Sequence, residues 1–307
     1  MRQMVLRAML ALSCAAAMAV VPASAGAVTV GISDQTTSMF TGPTSPLFKA
    51  LHIRQARLLV SWNVASSKSR SSELRYDTTW IKDAAAAGVQ PLVDFQAGPG
   101  AAGNYIPTVK QYTAAVKAFI KDFPTVRQYI PWNEPDWNYR SLSRNPALAA
   151  AYFNALVQAC RGCAVAAGDL YLDAGHLGNW IKAYEKGLRY RPAGWALHPY
   201  NDVQGHTTSQ IQTMMKYTTG PIWLTEISGV VRRGHWHGHN LTQTLAKQAA
   251  DEAFLFSLPK RFPRIARIYH YQWQGEVATV NTGWDSGLLN PDGTPRPAYA
   301  VVQRAAG

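Results

Sequence analysis

Of the 307 residues, 47% are hydrophobic and only 16% charged, which excludes an intrinsically disordered chain and fits a packed globular one. The formal net charge is +12, a surplus that would suit an anionic polymer or a cell surface. No basic run exceeds two residues, as at Arg232-Arg233, and no nucleic-acid motif is present, so no nucleic-acid partner is expected and a basic soluble protein is the plainer reading.

In chain order, the first element is a leader. Arg2 and Arg7 precede an apolar stretch over residues 9–21, and the small residues Ala23-Ser24-Ala25 and Ala25-Gly26-Ala27 follow. This is the pattern of a secretory signal peptide, residues 1–27, cleaved after Ala25 or Ala27. Cys14, in Leu12-Ser13-Cys14, raises lipoprotein processing, but Ala11 stands where a larger aliphatic residue is usual. The apolar stretch is too short to span a bilayer, which takes roughly 20 residues, so no membrane association is expected and the product is read as secreted and extracellular. Two of the 30 basic residues, Arg2 and Arg7, and none of the 18 acidic ones lie in the leader, so the mature chain carries +10.

Residues 28–307 alternate short apolar runs with longer amphipathic ones. Strands are predicted at 28–33, 56–62, 90–95, 128–133, 164–168, 195–200, 221–227 and 267–273. Helices are predicted between them, at 77–87, 108–122, 146–159, 177–188, 209–217 and 242–257. Asp77 is placed to cap its helix, Gly88 to follow its last turn, and Pro146 to sit in a first turn after Asn145. Near-continuous apolar strands alternating with helices imply a parallel sheet covered by helices. Eight repeats in about 280 residues suit a closed barrel, and no glycine-rich phosphate loop opens a helix. The predicted fold is therefore α/β, a single (β/α)8 TIM barrel over residues 28–307, expected to be a monomer. The mature cysteines, Cys160 and Cys163, form Cys-Arg-Gly-Cys; export favours a short-loop disulfide, since a metal site would need two further ligands and a redox motif a thioredoxin-like context.

In such a barrel the reactive groups come from the carboxyl ends of strands. Two strand candidates end on a carboxylate: Trp132-Asn133-Glu134-Pro135 on the fourth and Trp223-Leu224-Thr225-Glu226 on the seventh. Strand alternation places Ile130 and Trp132 on the side of Glu134, and Ile222 and Leu224 on the side of Glu226, so both acids are expected at one barrel mouth. A carboxyl pair suits glycoside hydrolysis, where the leaving oxygen needs a proton and the oxocarbenium-like centre an anion. Mutual repulsion and partial burial would raise the pKa of the member that carries the proton.

At these residues the chain resembles the clan A retaining glycoside hydrolases. The resemblance implies that Glu134 is the acid/base, Glu226 the nucleophile, and that Asn133 binds the sugar 2-hydroxyl. It extends to Arg57, in Ala56-Arg57-Leu58-Leu59-Val60-Ser61-Trp62, which would support the nucleophile. His198-Pro199-Tyr200 resembles the His-x-Tyr lining the sugar site, so His198 and Tyr200 are implied as substrate contacts. Trp273 resembles the tryptophan that floors the cleaved sugar. Gly287-Leu288-Leu289, Asp292-Gly293 and Arg296-Pro297-Ala298-Tyr299 resemble the passage into the last barrel helix. The continuation Ser228-Gly229-Val230-Val231-Arg232-Arg233 matches no one family, so the resemblance is to the clan.

Aromatic faces stack on the apolar faces of sugars, which makes Trp62, Trp137, Trp236 and Trp284 subsite candidates, with Asp94 and Gln96 as candidate hydroxyl partners. His235-Trp236-His237-Gly238-His239 is read as a solvent-exposed loop beside the cleft with Trp236 on substrate; alternating histidines can also bind a transition metal, but no carboxylate or cysteine accompanies them. No metal or cofactor is expected. The resulting expectation is a secreted retaining β-glycosidase acting on a polysaccharide or oligosaccharide, with endo action favoured. A carbohydrate-binding protein on a decayed hydrolase barrel and a transglycosylase are the alternatives; retention of both carboxylates argues against the first.

Overall fold

The computed structural model describes residues 28–98, 105–137, 141–171, 174–236, 239–276 and 283–307. All eight expected strands form. They are β1 (Thr29–Ser33), β2 (Gln55–Ser61), β3 (Gln90–Gln96), β4 (Gln128–Ile130), β5 (Ala164–Leu170), β6 (Gly194–Leu197) and β7 (Ile222–Ile227). A hairpin of β8 (Arg232–Trp236) and β9 (His239–Thr242) then precedes the last barrel strand, β10 (Ile265–Tyr271). The eight barrel strands close in the order β1-β10-β7-β6-β5-β4-β3-β2, every pair parallel. This is the expected (β/α)8 barrel.

The covering helices include α1 (Ser38–Thr41), α2 (Ser45–Ala50), α3 (Ser71–Ala86), α4 (Val109–Asp122), α5 (Pro146–Ala159) and α6 (Ala174–Glu185). After them come α7 (Tyr200–Gly205), α8 (Ser209–Tyr217), α9 (Leu245–Arg261) and, past the short strand β11 (Trp284–Asp285), α10 (Pro297–Ala306). Several helix starts are set by local chemistry. Thr108 and Gln111 form a reciprocal capping box on α4. Asn145 accepts from the Leu148 amide ahead of Pro146 on α5, as the sequence implies. Asp77 is a correction: α3 begins at Ser71, so Asp77 lies buried in mid-helix rather than at a cap. Helix 242–257 also shifts, because Thr242 ends β9 and Thr244 caps α9 instead. Among the described residues, no helix is long and apolar enough to cross a membrane.

Inside the barrel, side chains fill layers. Gln55, Gln90 and Gln128 hydrogen-bond to one another at the base, and Arg267 joins them while lying 3.8 Å over the Trp223 ring. Leu92, Ile130, Ala166, Ala196, Trp223 and Tyr269 form the apolar layer above. Gly31 makes room for it, since a Cβ there would meet the Tyr269 ring at 2.5 Å. This layer corrects the alternation expected on β4 and β7. Ile130 belongs to the interior and Trp132 to the outer core, whereas on β7 Trp223 points in and Ile222 and Leu224 pack outward.

Irregular backbone therefore decides where the strand-end acids point. On β7, Ile268 of β10 pairs with Leu224 and His270 with Ile227, so β7 carries one extra residue at Thr225–Glu226. On β5 a matching extra residue is Asp169, at φ 73° beside Gly168 at φ 92°. Such bulges re-aim side chains beside active sites. β4 simply stops at Ile130, and Glu134 sits beyond it in the left-handed region at φ 46°.

Candidate active site

Arg57 organises the floor of the barrel mouth. Fully buried, it donates to Ser33 (2.9 Å), Asp94 (3.0 and 2.5 Å), Asp169 (3.0 Å), Asn133 (2.8 Å) and Glu226 (2.8 Å). Burial works against its charge, but Asp169, Asp94 and Glu226 outweigh it and hold the guanidinium protonated. Asp94 and Asp169 then divide the roles of neutral acid and anion. Burial, together with the charge of Asp169, pushes Asp94 well above the carboxylate range. Burial also opposes ionisation of Asp169, but His198 and Arg57 hold its carboxyl well below that range.

Glu226 receives Arg57 Nη1 on Oε2 and the Tyr200 hydroxyl on Oε1 at 3.2 Å, so donors orient both oxygens. Burial and the neighbouring Glu226 charge raise the Tyr200 pKa, keeping its proton available for that bond. Glu134 is oriented from the opposite side, where Oε1 lies 3.0 Å from His198 Nδ1. The other ring nitrogen of His198 is 3.0 Å from Asp169 Oδ1, a close ion pair although the N–H is not aimed straight at the oxygen. Burial lowers the His198 pKa, but Asp169 and Glu226 outweigh it, and the ring is held as an imidazolium. Burial raises the Glu134 pKa; the His198 hydrogen bond and charge lower it, and Glu226 raises it further, with a net upward shift.

One ligand atom each from Glu134, His198 and Glu226 lies within 4.8 Å of the others. The trio has the donor types for a divalent cation, yet Arg57, Tyr200 and Asp169 already engage it. Asn133 joins the group: its Oδ1 is taken by Arg57, which leaves its amide N–H groups to donate toward the mouth.

The structure thus brings together Arg57, Asn133, Glu134, His198, Tyr200 and Glu226. Trp62 and Trp137 line the rim and are only slightly exposed. Trp62 stacks on Tyr105 at 6.1 Å and Trp137 on Tyr171 at 4.2 Å. Trp284 packs edge-on against Tyr200 at 5.0 Å. Trp273 is a correction: it is wholly buried, donates from Nε1 to Thr44, and packs on Phe48 in the outer core. Tyr271, which closes β10, instead comes close enough for Glu226 to act on its phenol. Asp94 is likewise sealed beneath Arg57 and does not reach a sugar, while Gln96 stays half-buried at the end of β3. His235 and Trp236 fall on β8 and His239 on β9, which pair antiparallel, rather than on a loop; His237, Gly238 and the side chain of Trp236 lie outside the described residues. Cys160 and Cys163 are joined as a disulfide. Sequence reasoning missed Asp169, although Gly168-Asp169 ends an apolar strand on a carboxylate as Glu134 and Glu226 do. Tyr171 and Tyr271 carried no comparable signal.

The family model of the glycosyl hydrolase catalytic core matches residues 63–301, most of the chain and both strand-end glutamates. The chain belongs to the glycosyl hydrolase catalytic core family. No curated protein sequence matches it. Among solved structures, this glycosyl hydrolase core is similar to the GH5_18 protein of Streptomyces cattleya, solved in complex with GlcNAc. Identity there is 15%, TM-score 0.64, covering 92% of this chain and 80% of that one. It is similar to a GH128 subgroup I endo-β-1,3-glucanase from Amycolatopsis mediterranei, in complex with laminarihexaose, at 15% identity and TM-score 0.60 over 90% of this chain and 99% of that one. Xylanase 10B from Thermotoga maritima is similar at 14% identity and TM-score 0.64, over 91% and 94% of the two chains. The clan A resemblance read from the strand ends is borne out by the family match and the neighbours, which single out no one family within it.

Proposed function

We propose that this glycosyl hydrolase core is a secreted, retaining β-glycosidase that cleaves polysaccharide or oligosaccharide chains internally. The observation that carries this reading is the pair Glu134 and Glu226, with an oxygen of each within 4.8 Å across the mouth. That bound falls short of the roughly 6.5–9.5 Å that leaves room for a water and fits the separation of about 5 to 5.5 Å at which the second carboxylate attacks directly. In the first step a Glu226 oxygen bonds to the anomeric carbon as the glycosidic bond breaks, and Glu134 gives its proton to the leaving oxygen. In the second, Glu134 takes a proton from water, whose oxygen bonds to the anomeric carbon and releases Glu226. Arg57 and Tyr200 orient the nucleophile, His198 orients the acid/base, and the Asn133 amide is placed to donate to the sugar.

Endo action is supported by the two neighbours named as an endo-β-1,3-glucanase and a xylanase, and by aromatic pairs on more than one side of the mouth. Secretion rests on residues 1–27 as a signal peptide, and is tested by the N-terminus of the protein recovered from the culture medium. The catalytic test is product analysis on β-glucans, mannans, xylans and galactans, with the anomer released first read by NMR. Glu134→Gln is expected to lower kcat by about 10²–10⁴, as for loss of a general acid, and Glu226→Gln by at least as much. An inverted first product, or full activity in either variant, refutes the mechanism.

A further inference from the structure

Arg233 lies on the catalytic face of the β8–β9 hairpin. It stands directly opposite Trp284 of β11 and Leu241 of β9 in antiparallel pairing. Directly opposed residues of such a pair project from the same face. That face is the one whose Trp284 packs on Tyr200, the donor to Glu226.

The side chain is half-buried, and its Nε is enclosed without a hydrogen-bond partner. Arginines nearby are matched to acids: Arg57 to Glu226 at 2.8 Å and Arg296 to Asp285 at 2.7 Å. Arg233, among the described residues, forms no salt bridge. Its charge nonetheless reaches the phenol of Tyr171, which also feels Glu134, Glu226 and Asp136. Tyr171 in turn stacks on Trp137 at 4.2 Å, so the cation acts on one member of an aromatic pair at the rim. A buried polar group left without a partner in a native fold calls for an explanation, and a guanidinium fork fits carboxylate and sulfate oxygens in two-point contact.

We infer that Arg233 forms a subsite for an anionic substituent on the substrate, a uronic acid carboxylate or a sulfate ester, beside the Trp137–Tyr171 pair. This rests on the glycosidase reading and deepens it by naming a substrate class. The basic surplus of the chain acts in the same direction, by drawing acidic polymers toward the mouth.

The test is calorimetric binding, which does not require turnover. Hexasaccharides of galacturonan, mannuronan and glucuronoxylan are each titrated beside their carboxyl-reduced forms, and sulfated galactan hexasaccharide beside its desulfated form. The carboxylate and sulfate arms separate the two sources of charge. The mature protein is expected to bind at least one acidic member about tenfold or more tightly than its neutral counterpart, with the preference shrinking at high salt. Arg233→Gln should erase that preference with Tm unchanged, and Arg233→Lys should restore part of it. No preference in any pair, or a preference that survives Arg233→Gln, overturns the proposal. A lost preference in Arg233→Gln without hydrolysis of any glycan keeps the anion subsite and overturns the glycosidase reading alone. Hydrolysis of neutral glycans without charge preference does the reverse.

Discussion

His198 couples Glu134 at the barrel mouth to the buried charge cluster. Its imidazolium is stabilised by Asp169 from beneath, and its hydrogen bond and charge pull the Glu134 pKa down against the stronger upward effect of burial. Replacing His198 with Asn removes the downward influence, so Glu134 holds its proton to higher pH. The basic limb of the kcat/KM profile, which follows loss of that proton, is therefore expected to move upward, with a lower maximum because the carboxyl is less well oriented. A basic limb that stays in place would separate His198 from acid/base tuning. The Arg57 cluster behaves differently, since taking one partner from a buried ion pair costs about 3–5 kcal/mol. Arg57 variants are thus expected to lose fold and activity together, and are poor probes of mechanism.

At the scale of elements, strand ends and helices hold the loops at the barrel mouth. Buried polar side chains of α9 reach under both loops at the end of the barrel. Gln248 donates to the carbonyls of Ser286 and Gly287, and Glu252 accepts from the Gly229 amide. The β8–β9 hairpin and β11 are thereby tied to one helix, which fixes the wall that carries Arg233 and Trp284. Asp77 in α3 is an element-scale liability instead. Burial, reinforced by Glu73 one turn away, pushes its pKa up to about 8. The folded state thus binds the proton more tightly than the unfolded chain, whose carboxyl titrates near 3.9. Its stabilising contribution is complete below about pH 4 and is lost as pH rises to about 8. Asp77→Asn is expected to raise Tm at pH 9, by about 2–4 °C for each kcal/mol recovered, and to leave it nearly unchanged at pH 4. An unchanged Tm difference across that range would show that Asp77 keeps its charge in the fold.

Across the whole molecule, the proposed function assigns chemistry and chain recognition to different parts of one mouth. The acids sit on strand ends held by the buried cluster, whereas Trp62, Trp137 and Trp284 stand on the rim. Trp137→Ala is therefore expected to raise KM for a polymer about tenfold, in keeping with about 1.5 kcal/mol of lost stacking and packing. Its effect on kcat for a short aryl glycoside should be small, because the Glu134 and Glu226 geometry is retained. An equal loss on both substrates would place Trp137 in the support of Glu134 rather than in a subsite. The eight strands, the closed parallel barrel and the Asn145–Pro146 helix start were legible in the sequence, because each follows from hydrophobic period and local capping chemistry, whereas the Asp77 cap and the 242 start were not.

The sequence by itself determined the class of molecule and its two principal acids. Apolar runs leading into Glu134 and Glu226 put both carboxylates at the carboxyl ends of barrel strands, and Asn145, Pro146 and Gly88 mark helix limits through local backbone chemistry. Tertiary structure alone decided which way those acids face, because a one-residue bulge reverses every alternation beyond it. It also moved Trp273 into the core and Asp94 beneath Arg57, since burial depends on what neighbouring elements cover. Asp169 and Arg233 acquired their places in the same way: the charges that hold the one, and the lack of a paired acid beside the other among the described residues, come from segments distant in the chain.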